Sequence, residues 1–107
     1  MFDIDKLGIG KVMEECVEYL SSHSDIHLSF DIDAIDPFFA PHTGTAVTGG
    51  LTFRESNYIC EALFASGRLT SLELVEVDPS QHKGVDPTRT IDVALTLLGS
   101  AMGQKII

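Results

Sequence analysis

The stretch SFDIDAIDP, residues 29–37, sets three aspartates directly after a short apolar run. That run, IHLSFD over residues 26–31, predicts a buried strand that ends at Asp31. On an extended chain Asp31 and Asp33 point the same way. Carboxylates packed this closely repel one another, and a divalent cation would hold them ionised. Their oxygen atoms suit Mn, Mg or Ca, whereas turn formation is the alternative, and the one we favour for Asp36.

Outward from this strand, the chain predicts three helices. The first covers about residues 5–22, with a face made of Ile9, Val12, Met13, Cys16, Val17 and Leu20. The second follows the capping box that Thr52 and Glu55 form, and Gly67 is its expected stop. It should bury Ile59, Ala62, Leu63 and Tyr58. The third opens at Asp86 as N-cap with Pro87 in its first position, and its predicted face is Ile91, Ala94, Leu95, Leu98, Ala101 and Met102, widened by Val93 and Leu97.

A second strand is predicted over residues 70–77, TSLELVEV. Strands that alternate with helices predict an α/β fold with a parallel sheet and helices on both faces. The loop of about twenty residues between Ile32 and Leu51 follows a strand end, where open α/β sheets bind their ligands. Two strands alone leave bare sheet edges, so we expect the chain to be an incomplete part of such a fold.

Charge and composition exclude several classes of function. Seven basic against sixteen acidic residues give a net charge of -9, which disfavours nucleic acids and anionic lipid and favours metals or a cationic small substrate. No apolar run approaches the roughly 18 residues that cross a bilayer. We expect both cysteines, Cys16 and Cys60, to be buried thiols in a reducing compartment. The start, MFDIDK, lacks a signal pattern and the usual polar lead-in, which suggests a fragment.

Further candidate residues lie in the long loop and after the second strand. Glu76, near the end of the second strand, would need a partner if buried. A substrate guanidinium is one possibility, and a structural ion pair with Arg54, Arg68 or Arg89 is the other. The loop glycines permit close approach to a ligand, as in the segment from Thr43 to Thr45 and in Gly49-Gly50. His42 is a conceivable metal ligand, but we expect it to be solvated.

Three segments resemble a known family, the ureohydrolases, which comprise arginases, agmatinases and their relatives. The run SFDIDAIDPFFAPHTGTAVTGGLTFRE, residues 29–55, is similar to their signature region. LVEVDPS, residues 74–80, looks like the segment that carries their guanidinium-facing glutamate. DKLGIGKVMEE, residues 5–15, resembles arginases in particular, and the resemblance extends from about Asp5 to Met102.

The resemblance implies a fold, a reaction and a set of site residues. The fold is the three-layer α/β/α sandwich with a parallel sheet, of which residues 1–107 would be the C-terminal part of a single domain. The reaction is hydrolysis of L-arginine to L-ornithine and urea at two Mn2+ ions, which lower the pKa of a bridging water. Asp31 and Asp33 correspond to metal ligands, Glu76 to the catalytic and substrate-binding acid, and Thr45 to a threonine that lines the site. Arg54 and Glu55 match a pair that helps to join the subunits of a homotrimer.

Departures from the family pattern limit these expectations. His42 stands where a small residue is usual, and Asp78 stands where asparagine is more common. The family's other metal ligands and its proton-shuttling histidine have no counterpart in the sequence, so we expect the isolated chain to be inactive. The alternatives are an agmatinase or other ureohydrolase, a non-catalytic product that associates with full-length arginase subunits, and a bare metal-binding module. A cytoplasmic or mitochondrial location is expected.

Overall fold

The computed structural model describes residues 1–106, which form three helices and a two-stranded sheet. In chain order the elements are helix α1 (Phe2–Tyr19), strand β1 (Ile26–Asp31), a 3-10 turn (Ile32–Ala34), helix α2 (Phe53–Ala65), strand β2 (Leu69–Val75) and helix α3 (Thr88–Ala101). This is the predicted order, and β1 has the predicted bounds. The two strands run parallel, as expected for strands joined by a crossover that contains a helix.

Within residues 1–106, one face of the sheet is covered by helices and the other is bare. Because side chains alternate along a strand, Ile26, Leu28 and Phe30 of β1 face the helices and contribute to the core. The residues between them face outward, where His27 pairs with Ser71 and Ser29 donates to Glu73 across the two strands. All four of these polar residues are exposed.

The main core lies between the sheet, α2 and α3. Its buried side chains are Phe30, Ile32, Ile35, Ala40, Cys60, Val93, Ala94, Leu97 and Ala101. A second, smaller cluster joins Met13 of α1 to Ile26 and Leu63. The predicted capping box is present, since Thr52 accepts from the Glu55 amide while Glu55 accepts from the Thr52 amide. The predicted stop, Gly67, has a φ of 70° directly after the helix cap.

Two predicted helix faces are wrong in part. In α1 the residues that contact the core are Ile9, Met13 and Val17, whereas Cys16 is exposed and is not the buried thiol that we expected. Residues four apart form a narrower stripe than the predicted face, and α1 is kinked at Gly8, where φ is 80°. Cys60 is buried as predicted, and this burial raises the pKa of its thiol to about 11.

In α3 the core-facing side is rotated from the predicted one. The buried residues are Thr90, Val93, Ala94, Leu97, Ser100 and Ala101, whereas Leu95 and Met102 are exposed. The predicted face failed because Thr90 and Ser100 are polar, and Ser100 is buried through a hydrogen bond to Asn57 of α2. Tyr58 of α2 was also expected to be buried and is exposed.

Helix α3 begins one residue later than predicted, at Thr88, and its N-cap is Pro87 rather than Asp86. The Asp86 carboxylate accepts from both the amide and the hydroxyl of Thr88. These hydrogen bonds hold the pKa of Asp86 below its usual value. Among residues 1–106, none of the helices combines the length and apolar character that crossing a membrane requires.

Candidate functional site

The two leading aspartates lie on the turn that follows β1. Asp31 is the last residue of the strand, and Asp33 lies within the 3-10 turn, so the chain between them is not extended as predicted. Ile32 and Ile35 are fully buried and anchor the turn to the core. Asp31 and Asp33 are only partly buried. Because the isoleucines occupy the core side of the turn, both carboxylates are left on its solvent side.

Hydrogen bonds fix both carboxylates but leave each with a free oxygen. Asp31 accepts from the Asp33 amide through Oδ1, at 3.0 Å, which caps the turn. Asp33 accepts from the Thr45 hydroxyl through Oδ2, also at 3.0 Å. Within residues 1–106 the other oxygen of each carboxylate accepts no hydrogen bond from the protein. The structure therefore brings together three of the predicted site residues, Asp31, Asp33 and Thr45.

The loop that carries Thr45 is closed at its base. Asp36 and Leu51 pair through the Asp36 amide and the Leu51 carbonyl, at 2.9 Å, and the Leu51 amide donates to Ala34 at 2.8 Å. Gly50 is required here, because a Cβ atom at this position would lie 2.6 Å from the carbonyl oxygen of Ala34. The two ends of the long loop are thus held together by main-chain hydrogen bonds, as in a compact Ω-type loop.

The Asp36 side chain links the two ends of this loop. Its carboxylate accepts from the amides of Phe38 and Gly49, each at 2.8 Å, and so joins the beginning of the loop to its end. The bond from Phe38, followed by that from Gly49, holds the pKa of Asp36 below its usual value. The prediction that Asp36 is a turn-forming acid rather than a ligand agrees with this geometry.

Glu76 lies at the same end of the sheet, where β1 and β2 both reach their carboxyl ends. Asp31 pairs with Val75 in the strand register, so Glu76 follows the residue that lies beside Asp31. Among the non-glycine residues of the described chain, Glu76 alone has a positive φ, of 69°. This backbone conformation costs an L-amino acid about 1–2 kcal/mol, and such residues concentrate at functional sites.

The ion-pair alternative for Glu76 is wrong. Glu76 is exposed, and the salt bridge found among residues 1–106 joins Lys11 to Glu14 instead. Arg68 donates to main-chain carbonyls at the end of α1, including that of Val17 at 2.8 Å. Arg89 donates to the carbonyl of Phe38. The carboxylate of Glu76 therefore remains available to a ligand.

His42 is buried rather than solvated, which corrects the prediction. Only 1% of its surface is exposed. Its amide donates to Oγ1 of Thr90 at 3.0 Å, and its Nδ1 atom lies 3.3 Å from the same oxygen. This hydrogen bonding gives the ring a structural role in the core and does not aim it at the aspartates.

Two residues that anchor the loop were missed by the sequence analysis. Thr90 of α3 holds His42, and the Arg89 guanidinium stacks on the Phe38 ring, 5.1 Å from its centroid. Each lies about fifty positions from its partner, and no local pattern in the sequence connects them. The first turn of α3 is therefore part of the site's support.

The two aspartates do not by themselves make a metal site. Among residues 1–106, no group of three or more histidine, cysteine, aspartate or glutamate side chains could hold a metal ion. The free oxygens of Asp31 and Asp33 are the hard, charged donors that Mn2+ and Mg2+ prefer. The residues present therefore offer only some of the donors that a site for such a cation needs.

Arg54 and Glu55, the predicted subunit-contact pair, lie at the start of α2. Glu55 is engaged in the capping box, and its carboxylate also accepts from the Thr52 hydroxyl at 2.9 Å. Arg54 is exposed. Both residues line a surface pocket of about 340 Å³ together with Asn57 and Tyr58.

Comparison with known proteins identifies the family. The sequence model of the Arginase family matches residues 1–103. Arginase-1 of Sus scrofa is 49% identical and covers 96% of this chain, which spans 33% of that protein. The arginase of Glaciozyma antarctica is 47% identical over the whole chain, which spans 32% of it.

Structural comparison agrees with the sequence. The crystal structure of arginase from Bacillus subtilis matches with a TM-score of 0.88 and 43% sequence identity. The match covers 99% of this chain and 38% of the Bacillus subtilis chain. The α/β class and the parallel sheet that we predicted are thus those of arginase, of which this chain holds about a third. The chain belongs to the arginase family.

Proposed function

We propose that the chain supplies two metal-binding carboxylates and the guanidinium-binding carboxylate of an arginase-type site. Such a site hydrolyses L-arginine to L-ornithine and urea at two Mn2+ ions. The observation that carries the proposal is the grouping of Asp31, Asp33, Thr45 and Glu76 at the carboxyl ends of two parallel strands. This edge is where α/β sheets bind ligands. The identity of nearly half of the residues to known arginases favours this reaction over others.

Asp31 and Asp33 would hold the metal ions through their free oxygens. When bound, the metals supply Lewis-acid activation of water at neutral pH. The protein's own contribution is orientation. The Asp33 amide fixes Asp31, and the Thr45 hydroxyl fixes Asp33, so that neither carboxylate has to be ordered when a cation arrives.

Glu76 would receive the guanidinium group of the substrate. A carboxylate can accept two parallel hydrogen bonds from a guanidinium, which fixes the plane of that group. Two of the three arginines that could have neutralised Glu76, Arg68 and Arg89, donate to main-chain carbonyls. Arg54 forms no salt bridge with Glu76 within residues 1–106. A single acid held beside the metal ligands would thereby orient the guanidinium carbon toward the reacting water.

The isolated chain would be inactive in this proposal. Two carboxylates offer four oxygen atoms, whereas hard cations take about six donors each. The chain spans about a third of the length of the curated relatives it matches. We therefore propose that residues 1–107 act as the C-terminal part of one ureohydrolase domain and that the rest of that domain supplies the missing donors.

Association into a homotrimer is part of the same proposal. Glu55 is held by its capping box and is pre-oriented, whereas Arg54 is exposed and free to reach a neighbouring subunit. A guanidinium that pairs with a fixed carboxylate across an interface loses less conformational freedom than two mobile side chains would.

The direct test is a chimera in which residues 1–107 replace the matching third of Sus scrofa arginase-1. We expect Mn2+-dependent release of urea from L-arginine, and loss of both Mn2+ binding and urea release in the double variant Asp31→Asn, Asp33→Asn. The control is Asp25→Asn, an exposed acid before β1, which should leave both readouts unchanged. A folded chimera that binds Mn2+ but hydrolyses agmatine and not L-arginine would instead establish the agmatinase alternative.

A non-catalytic role is the second candidate, and the bare outer face of the sheet favours it. His27, Ser29, Ser71 and Glu73 are exposed on this face, although both faces of a parallel sheet are normally covered. In this role the chain would associate with full-length arginase subunits. Co-purification that changes their activity would support it, and independent migration of the two proteins would count against it.

A further inference from the structure

The conformation of Glu76 needs an external restraint. Its φ of 69° is one that L-amino acids rarely adopt, and its side chain is exposed. On its N-terminal side the chain is held by the ladder, in which Val75 pairs with Asp31. The restraint on the C-terminal side must come from the residues that follow.

Asp78 provides that second fixed point. Its amide donates to the main-chain carbonyl of His42 at 2.9 Å. Its carboxylate accepts from the Ser80 amide and from the Gln81 side chain, which closes a turn immediately afterwards. The two residues between Val75 and Asp78 therefore span a gap between two anchors, and the second anchor is only as firm as the His42 carbonyl.

His42 is held in turn by Thr90 of α3. The Thr90 hydroxyl contacts both the amide and Nδ1 of His42, so one oxygen fixes the backbone and the ring of the same residue. Both residues are buried, with 1% of His42 and none of Thr90 exposed. Because water does not reach these groups, the hydrogen bond has no competing partner and limits the alternative positions of the His42 backbone.

We propose that His42 is a positioning residue for Glu76. Its imidazole, hydrogen-bonded to Thr90, fixes the carbonyl that holds Asp78, and Asp78 fixes the direction in which Glu76 presents its carboxylate. The same loop carries Thr45 to Asp33, so His42 supports both sides of the site. The support that runs from Thr90 through His42 and Asp78 to Glu76 is argued from the geometry alone. Its consequence for substrate binding rests on the proposed function.

The test is nuclear magnetic resonance of the 107-residue chain, with Asp78 amide exchange and the backbone couplings of Glu76 as readouts. In His42→Ala we expect exchange at Asp78 to rise about tenfold, the scale of one lost hydrogen bond, and Glu76 to leave the positive-φ region. In His42→Asn we expect near wild-type behaviour, because the asparagine amide places a polar atom near the position of Nδ1. A filler role of the ring would not be rescued in this way.

Thr90→Val keeps the shape of the side chain and the His42 ring while removing the hydroxyl, so it tests the contact even if His42→Ala does not fold. It should raise exchange at Asp78 at least as much as His42→Ala does, because it removes the contact to the His42 amide as well as the contact to the ring. The matched control is Thr96→Val in the same helix, whose hydroxyl donates to the Asp92 carbonyl of its own turn. We expect no change at Asp78 or Glu76 in this control.

Unchanged exchange at Asp78 in a folded Thr90→Val chain would overturn the proposal, as would failure of His42→Asn to restore it. These readouts need neither metal nor substrate, so they are independent of the arginase reaction. In an active chimera, His42→Ala should raise KM for L-arginine more than it lowers kcat. A chimera without activity would refute the proposed function and leave the positioning result intact.

Discussion

At the scale of single residues, hydrogen bonds to carboxylates organise the site. Asp31, Asp33 and Asp36 each accept a bond from within the turn or the loop, and together they fix the path from β1 to Thr45. Neutral amide and hydroxyl donors hold these carboxylates, and within residues 1–106 no basic side chain pairs with them. The arrangement leaves their charge available to a cation while it orders the backbone around them.

Asp36 should make the stability of the chain depend on pH. Hydrogen bonds from Phe38 and Gly49 depress its pKa in the folded state. The stabilisation is therefore fully present above the unfolded pKa of about 3.9, and it is lost as the pH falls through the lower, folded pKa. We expect Asp36→Asn to melt at a lower temperature than wild type at pH 7, with a difference that shrinks below pH 4.

Thermal unfolding followed by circular dichroism from pH 7 to pH 2.5 measures this difference. Asp25→Asn is the control, because the Asp25 carboxylate is exposed and accepts no hydrogen bond within residues 1–106. Equal losses of melting temperature in the two variants, or a gap that widens in acid, would show that Asp36 does not hold the loop.

The sequence predicts these acids better than it predicts their surroundings. Asp31 and Asp33 are identifiable because they follow an apolar run, a local pattern. His42 is buried against Thr90, 48 positions away, and Asp78, two residues after Glu76 with its positive φ, donates to the carbonyl of His42. Neither contact has a local signal, so neither could be read from the sequence.

At the scale of secondary-structure elements, the closure of the loop depends on Gly50. A Cβ atom here would lie 2.6–2.8 Å from main-chain atoms of Ala34, Ile35 and Asp36, none of which can rotate away. We expect Gly50→Ala to destabilise the chain by about 1–3 kcal/mol, measured by urea unfolding. Gly44→Ala is the matched control, since a Cβ atom at Gly44 would meet nothing within 4 Å. Equal stability of the two variants would contradict this account of the loop.

The orientation of α3 is the second prediction at this scale. Leu97 is 1% exposed and lies in the core, whereas Leu95 is 60% exposed, although the apolar pattern placed both on one broad face. We expect Leu97→Ala to cost about 2–5 kcal/mol and Leu95→Ala less than about 0.5 kcal/mol. Urea denaturation of the two variants compares identical substitutions two positions apart. Similar losses would mean that α3 packs as the sequence pattern indicated.

At the scale of the whole molecule, the fold class and the shortage of metal ligands were predictable, whereas the environment of the outer face of the sheet was not. Alternation of strands and helices identifies a parallel sheet, and the capping box and the end of β1 identify element boundaries to within a residue. The polar pairs on the outer face, from His27 to Glu73, give no apolar pattern from which a covering layer could be inferred.

Metal binding by the isolated chain is the prediction that belongs to this scale. Two carboxylates with free oxygens and no third ligand within residues 1–106 should bind Mn2+ only weakly, with a Kd of roughly 1 mM. At 1 mM Mn2+ the stabilisation is then about 0.4 kcal/mol, and removal of metal with a chelator should barely shift the melting curve. Asp31→Asn with Asp33→Asn should abolish the residual shift, whereas Asp25→Asn should not. Stoichiometric binding at micromolar Mn2+ would mean that the chain completes a metal site without the rest of an arginase fold.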